Sequence, residues 1–241
     1  MVKILGVPFS TLTFEETLRR LTDALRGDSP LHIITANPEI IMMAQKDPRI
    51  MELLLEADLV TPDGIGAVWA SQYYGEKLED RVTGIELSTA LIEAAAERGL
   101  GVFLLGTKPE TNRKAVEHLQ ARYPGLRIGG RDGYFKAHEE ADVVAQVKDF
   151  GPALLLVGLG MPRQELFIKK HKEETGAQVM IGIGGCIDIW AGEVKRAPKL
   201  WQDLRLEWAY RLLSQPSRWK RQLVLPQFVL TVLTDKNRKK V

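Results

Sequence analysis

Five short groups of residues along this chain, four of them containing glycine, carry side chains that can bind an anion or move a proton. They are Thr35 with Asn37, Asp63 with Gly64 and Gly66, Gly106 with Thr107, Gly158 through Gln164, and Gly184 through Asp188. Each follows a short apolar run of strand character. Ligands of open α/β sheets sit at the carboxyl ends of the strands, and a glycine there lets backbone N–H groups come close to a phosphate. A glycine after a strand serves a bare turn equally well, so one group alone says little. Five together predict a single large pocket.

The most telling stretch runs from Gly182 to Pro198, G-I-G-G-C-I-D-I-W-A-G-E-V-K-R-A-P. Paired glycines close a strand, Asp188 follows within a turn, and the chain then turns basic. It reads as the floor of an anionic-ligand site, with Gly106, Gly158 and Gly185 as points of close backbone approach. In the stretch from Gly158 to Glu165, Pro162 suits the first helical position. That puts Arg163 and Gln164 in a first turn where the helix dipole favours an anion; a plain helix start with exposed polar residues is the alternative. Asp63, between Pro62 and Gly64, is either a general base for a sugar hydroxyl or the N-cap of the next helix. Arg81, in R-V-T-G (81–84), is either a bidentate diphosphate ligand or a surface arginine.

Missing motifs narrow the chemistry. No D-x-D occurs, so the usual aspartate pair holding a divalent cation on a nucleotide-sugar is absent. No G-x-x-x-x-G-K-[ST] and no G-x-G-x-x-G opens a helix. His32, His118, His138 and His171 lack metal-ligand spacing. The expectation is no metal site and no cofactor, with diphosphate charge met by arginine and helix N-termini.

The elements that must position these groups alternate between helix and strand patterns, which predicts an α/β fold: a Rossmann-like, mainly parallel sheet flanked by helices. Thr13 and Glu16 form a capping box ahead of Phe14, Leu18, Leu21 and Leu25 on one helical face. Strands are expected at 31–35, 59–61, 102–105, 126–129, 154–157 and 179–183. Helices at 39–46 and 48–56 follow the first of these, and residues 76–84 read as irregular. Thr107 with Glu110 reads as the cap of the helix after the third strand. Met1 to Val7 is a strand-like run followed by Pro8, not a signal peptide.

With 241 residues, 45% of them hydrophobic and 27% charged, the chain can bury one good core. Its net charge of +2 hides an asymmetry. Residues 195–241 carry twelve Lys and Arg against three Asp and Glu, while residues 1–194 carry 21 against 28. This break separates a catalytic α/β body (1–195) from a basic helical C-terminal appendage (196–241). In the appendage Trp201, Trp208 and Trp219 interleave with Arg205, Arg211, Arg218 and Arg221, the pattern of a helix resting on a lipid interface. Each basic side chain near anionic lipid contributes on the order of 1 kcal/mol. Beyond Pro226, Phe228, Val229, Val232 and Leu233 make an apolar face before the run Lys236 to Lys240; a helix pair packed on the body is the alternative. The appendage is expected to complete the site and the body to fold without it.

A nucleic-acid-binding module built on the tail leaves the strand-end residues unexplained, so no nucleic-acid partner is expected. No run of ~20 apolar residues exists, so membrane contact must be peripheral. A single cysteine, Cys186, fits a reducing cytosol. The expectation is a cytoplasmic chain attached peripherally to the inner face of the cell membrane. Apolar residues on the helices after 39 and 87 suggest a homo-oligomer.

Seven segments in order, T-A-N-P-E (35–39), P-D-G-I-G (62–66), R-V-T-G (81–84), V-G-L-G-M-P-R-Q-E (157–165), G-I-G-G-C-I-D-I-W-A-G (182–192), R-A-P (196–198) and L-E-W-A-Y-R-L-L-S-Q-P-S-R-W-K-R (206–221), cover nearly the whole chain. Together they resemble the TagA/WecG/CpsF family, glycosyltransferase family 26, and its TagA branch in particular. Glu86 departs from the Asp frequent there, which argues against catalytic duty at 86, and Ile187 stands where an aromatic is common. The resemblance implies inverting transfer of N-acetylmannosamine from UDP-ManNAc to the C4 hydroxyl of GlcNAc on undecaprenyl diphosphate, in teichoic-acid linkage-unit synthesis. It implies Asp63 as base, Thr35 and Asn37 around a sugar, and Gln164 orienting sugar or nucleotide. Arg81, Arg211, Arg218 and Arg221 would hold diphosphate. UDP-ManNAcA or UDP-glucose as donor is the alternative within the family.

Overall fold

The computed structural model of the chain describes residues 1–203, 207–214 and 223–235. It opens with a hairpin, β1 (Val2–Ile4) and β2 (Val7–Phe9), whose two-residue loop puts Leu5 and Gly6 at φ 49° and 84°. The N-terminal run expected to end before Pro8 therefore turns back on itself, and Pro8 lies within β2. An edge strand tolerates this because it needs no ladder donor there. Six apolar runs then form one parallel sheet: β3 (Leu31–Ala36), β4 (Leu59–Pro62), β5 (Gly101–Gly106), β6 (Arg127–Arg131), β7 (Leu154–Gly158) and β8 (Val179–Gly182), in the order β4-β3-β8-β7-β5-β6.

The helices are α1 (Phe14–Ala24), α2 (Pro38–Lys46), α3 (Pro48–Glu56), α4 (Ile65–Tyr73), α5 (Gly84–Glu97), α6 (Pro109–Arg122), α7 (Glu140–Phe150), α8 (Arg163–His171), α9 (Cys186–Trp190), α10 (Lys199–Asp203), α11 (Glu207–Ser214) and α12 (Val224–Thr234). Alternation along each strand sorts them into two layers. Ile33, Leu104, Leu156 and Ile181 meet Leu21, Leu91, Leu119 and Ile187, so α1, α5, α6 and α9 cover one face. Leu105, Leu155 and Met180 meet Val144 and Phe167 on the other, under α7 and α8. Ile34 and Val60 join the hairpin, α2, α3 and α4 on that same side. Thus β5 and β7 are neighbours whose following helices, α6 and α8, lie on opposite faces. That divergence opens a crevice at their carboxyl ends.

Two expectations change here. Thr107 does not cap α6: Lys108 is the N-cap with no side-chain cap bond, and Pro109 opens the helix. Gly106 at φ 143° and Thr107 at φ 54° swing the chain through a left-handed turn first, which carries the Thr107 hydroxyl away from the helix start. The second change concerns the tail. Phe228 and Val232, read as part of an exposed apolar face, are 1% and 0% exposed and sit in the core with α2 and α4. Tyr74 adds a hydrogen bond of 2.7 Å from its hydroxyl to Asp235. Val229, Leu230 and Leu233 keep the outer face of α12 exposed.

Candidate active site

At the end of β3, Thr35 is buried and Asn37 caps α2, its amide oxygen accepting from the Ile40 N–H at 3.1 Å. Beside it, Asp63 donates its backbone N–H to the Ala36 carbonyl at 3.0 Å. Asp63 does not cap α4; Gly64 holds that position at φ 98° with no side-chain cap bond. The irregular segment after α4 returns along β4, with Val82 N–H donating to Pro62 at 2.9 Å and the Thr61 hydroxyl to Val82 at 3.2 Å. That return sets Val82, between Arg81 and Thr83, beside Pro62, the residue before Asp63. It also brings α5 so close to β3 that a Cβ on Gly84 would lie 2.9 Å from the Thr35 hydroxyl oxygen.

Arg81 is not a loose surface arginine. Its guanidinium donates to Glu207 of α11 at 3.2 Å and lies 3.9 Å from Glu86. Arg196 in turn donates to Glu86 at 2.5 Å and lies 3.5 Å from Glu207. Burial alone would raise the Glu86 carboxyl, but the Thr83 hydroxyl and the Arg196 guanidinium outweigh it and hold it below the usual carboxylate range. Two cations and two carboxylates therefore bind the 81–86 segment to the start of the tail. Glu86 works there as an ion-pair partner, in keeping with its departure from the family pattern.

Across the sheet, the crevice between β5 and β7 is a cleft of about 550 Å³, lined by Thr107, Gly133, Tyr134, Lys136, Leu159 and Arg163 among others. Close packing shapes its floor. A Cβ on Gly158 would fall 2.7 Å from the Gly184 carbonyl oxygen, and one on Gly106 would collide with the Gly158 backbone. Here glycine serves loop-to-loop approach as well as any ligand. Arg163 donates to the Gly133 and Phe135 carbonyls at 3.0 and 3.2 Å and stacks 4.5 Å above the Phe135 ring. It pins the loop that carries Tyr134, which is 71% exposed at the rim. The Thr107 hydroxyl donates to Asp188 at 2.6 Å, joining the loops after β5 and β8.

Gln164 lies under this floor, buried, with its amide bonds made to protein. Its oxygen accepts from the Gly160 and Gly184 N–H groups, both at 3.1 Å, and its nitrogen donates to Glu165 at 2.7 Å. The Gly184 N–H is therefore engaged by Gln164, while Gly185, expected as a point of close approach, is exposed at the start of α9. Burial pushes the Glu165 carboxyl up to about 7 despite the hydrogen bond from Gln164. No role was legible for Glu165 in the sequence; its only signal was adjacency to Gln164 in a first helical turn. The side chain of Arg211 and the whole of Arg218 and Arg221 lie outside the described residues, as do Trp219 and the run Lys236 to Lys240.

The two halves of the site flank β8 and its glycine turn. β3 and β5 stand three strand spacings apart, roughly 14 Å. A family model described as the WecG/TagA/CpsF glycosyl transferase family matches residues 2–241. The chain belongs to this family. It is 39% identical over 202 residues, 83% of this chain and 78% of the relative, to the N-acetylglucosaminyldiphosphoundecaprenol N-acetyl-beta-D-mannosaminyltransferase of Bacillus spizizenii. A protein of the same name from Bacillus subtilis is 37% identical over 209 residues, covering 86% of this chain and 81% of that one. Family membership agrees with the order of motifs from T-A-N-P-E to the tail. Among the described residues no helix is long and apolar enough to cross a membrane.

Proposed function

We propose that this chain is an inverting glycosyltransferase that moves N-acetylmannosamine from UDP-ManNAc to the C4 hydroxyl of GlcNAc-diphospho-undecaprenol. The observation that carries the reading is the return of residues 81–84 along β4, which brings the segment bearing Arg81 beside the strand ends that carry Thr35 and Asp63, about three strand spacings from β5 and its cleft. The names of the two Bacillus relatives support the acceptor and the sugar. In this reading the nucleoside lies in the cleft between Thr107 and Tyr134. The diphosphate crosses the Gly184–Gly185 turn, and the sugar reaches Asp63. Asp63 takes the proton of the acceptor hydroxyl as its oxygen attacks C1 of the donor sugar. The bond from C1 to the diphosphate oxygen breaks as the new bond forms, and UDP departs with the electron pair. Inversion requires one base and a stabilised leaving group, not a covalent nucleophile.

The charge building on UDP falls to Arg81, to tail arginines Arg211, Arg218 and Arg221, and to backbone N–H groups near Gly185. A lipid-linked acceptor and a tail rich in Lys and Arg support peripheral attachment at an anionic, cytoplasm-facing membrane. The test is UDP release from UDP-ManNAc with a lipid-linked GlcNAc acceptor, with and without EDTA. Turnover is expected to persist under chelation, and Asp63→Asn to lower it roughly 10²-fold or more. Loss of activity on chelation with recovery on manganese would overturn the charge assignment, and near-normal turnover in the variant would remove Asp63 as base.

A further inference from the structure

We propose that Glu165 is a positioning residue that fixes the side-chain amide of Gln164 and through it the two loops that form the floor of the transfer site. The inference rests on the proposed transfer, but its geometry stands apart from it. Gln164 has two lone pairs on Oε1, and both are taken, by the N–H groups of Gly160 after β7 and of Gly184 after β8. Turned over, the amide would set its own N–H₂ against those two donors. The Glu165 oxygen, 2.7 Å from Nε2, accepts only in the observed orientation. One carboxyl oxygen thereby selects the state in which a single glutamine clamps two loops.

The surroundings are shaped for this pair. β8 ends in Gly182, where a Cβ would fall 2.5 Å from both Gln164 Nε2 and Glu165 Oε1. Any larger residue would drive the pair off the strand end. Glu165 is 1% exposed, and its Oε2 has no hydrogen-bond partner among the described residues. A buried carboxyl with one oxygen unsatisfied weakens a fold, so stability does not account for it. Holding Gln164 does. Burial pushes the carboxyl up to about 7, so both forms are populated near neutrality, and in either one an unprotonated oxygen can serve as the acceptor required.

The experiment compares full-length wild type with Glu165→Leu and Glu165→Gln. Leucine fills the space without an acceptor; glutamine keeps an oxygen at Oε1. Glu165→Leu should lower kcat/KM for UDP-ManNAc with the lipid acceptor by roughly 10- to 100-fold, since small misplacements of a positioned site are felt on that scale. Because removal of the unsatisfied Oε2 offsets the orphaned Gln164 amide nitrogen, its melting temperature should change little, a split that a merely structural role would not produce. Glu165→Gln should stay within ~3-fold of wild type, because the acceptor is retained. Independently of turnover, the side-chain amide protons of Gln164 should exchange slowly in wild type and Glu165→Gln and fast in Glu165→Leu.

Slow exchange with near-normal kcat/KM in Glu165→Leu would overturn the proposal. If Glu165→Leu does not fold, Glu165→Gln decides: a folded variant with activity lost and fast exchange overturns it, and near-normal activity with slow exchange supports it. A wild type that turns over no UDP-sugar would sink the transfer reading alone, with the exchange measurement still testing the clamp.

Discussion

Replacing Phe228 by alanine tests whether the last helix belongs to the body of the enzyme. Its ring is 1% exposed, packs edge-on against Trp69 at 6.5 Å between centroids, and lies against Gly66, where a Cβ would come within 3.6 Å of it. Truncating so buried a phenylalanine costs about 3–5 kcal/mol through lost transfer energy and the cavity left behind. In a chain of this length each kcal/mol shifts the melting temperature by roughly 2–4 °C, so the expected fall is roughly 6–20 °C. Urea unfolding followed by circular dichroism reads the change, with Val229→Ala as control. Val229 is 39% exposed on the same helix, and its loss should stay within about 0.5 kcal/mol. Because Phe228 abuts the P-D-G-I-G turn, turnover should fall below that of the control even where the variant is fully folded. A loss under ~1 kcal/mol at unchanged denaturant slope, with normal turnover, would show that α12 does not buttress the turn.

Two further outcomes follow from the buried charges. Burial raises Glu165 from 4.5 to about 7 and lowers His32 from 6.5 to about 4. The folded protein therefore holds the Glu165 proton more tightly than the unfolded chain does, so that contribution is full below pH ~4.5 and is lost as pH rises through 7. His32 acts oppositely, stabilising above pH ~6.5 and losing its contribution as pH falls through 4. The two nearly cancel in wild type, and Glu165→Gln should gain about 3 kcal/mol relative to it between pH 4.5 and 7 in urea titrations. A flat difference would mean an ordinary carboxyl. Second, Glu207→Gln removes a carboxylate 3.2 Å from Arg81 and should tighten pyrophosphate binding roughly 3- to 10-fold at low salt, as for loss of one partly shielded ion pair. Unchanged affinity by calorimetry would mean that Arg81 does not meet the diphosphate.

What the sequence made legible and what it concealed divide by range. β3 and β8 were visible as apolar runs because both faces of a central parallel strand are buried, and Thr13 with Glu16 capped α1 as expected. Thr107 misled because its spacing to Glu110 mimics a capping box, while a β-branched residue at φ 54° runs against local preference and is held by long-range bonds to Gly133 and Asp188. Gln164 stands out in the sequence as a candidate binding residue, but nothing local tells that its amide faces inward between two loops. Phe228 and Val232 recur at helical spacing, and that pattern is the same whether the stripe meets lipid or core. Arg81 with Glu207 joins positions 126 apart in sequence, a separation at which no pattern of spacing speaks.

These contacts change the relation of tail to site. One end of the tail reaches the body at Arg81 and Glu86 through Arg196 and Glu207, the other at Gly66 and Tyr74 through Phe228 and Asp235. Both anchor points flank the turn that carries Asp63, one on the segment running beside β4 and one on the helix leaving it. Cutting the chain after Pro198 would remove Glu207 and so strip Arg81 of one carboxylate. It would also uncover the apolar surface of α2 and α4 that Phe228 and Val232 fill. Loss of transfer in such a truncation would then report a disturbed turn around Asp63 as much as missing tail arginines. Separating the two requires variants that keep both anchors and neutralise Arg211, Arg218 and Arg221 alone. If those variants lose activity on the lipid-linked acceptor at unchanged stability, the arginines serve the substrate. If they retain it, the tail's contribution to catalysis is its packing around Asp63.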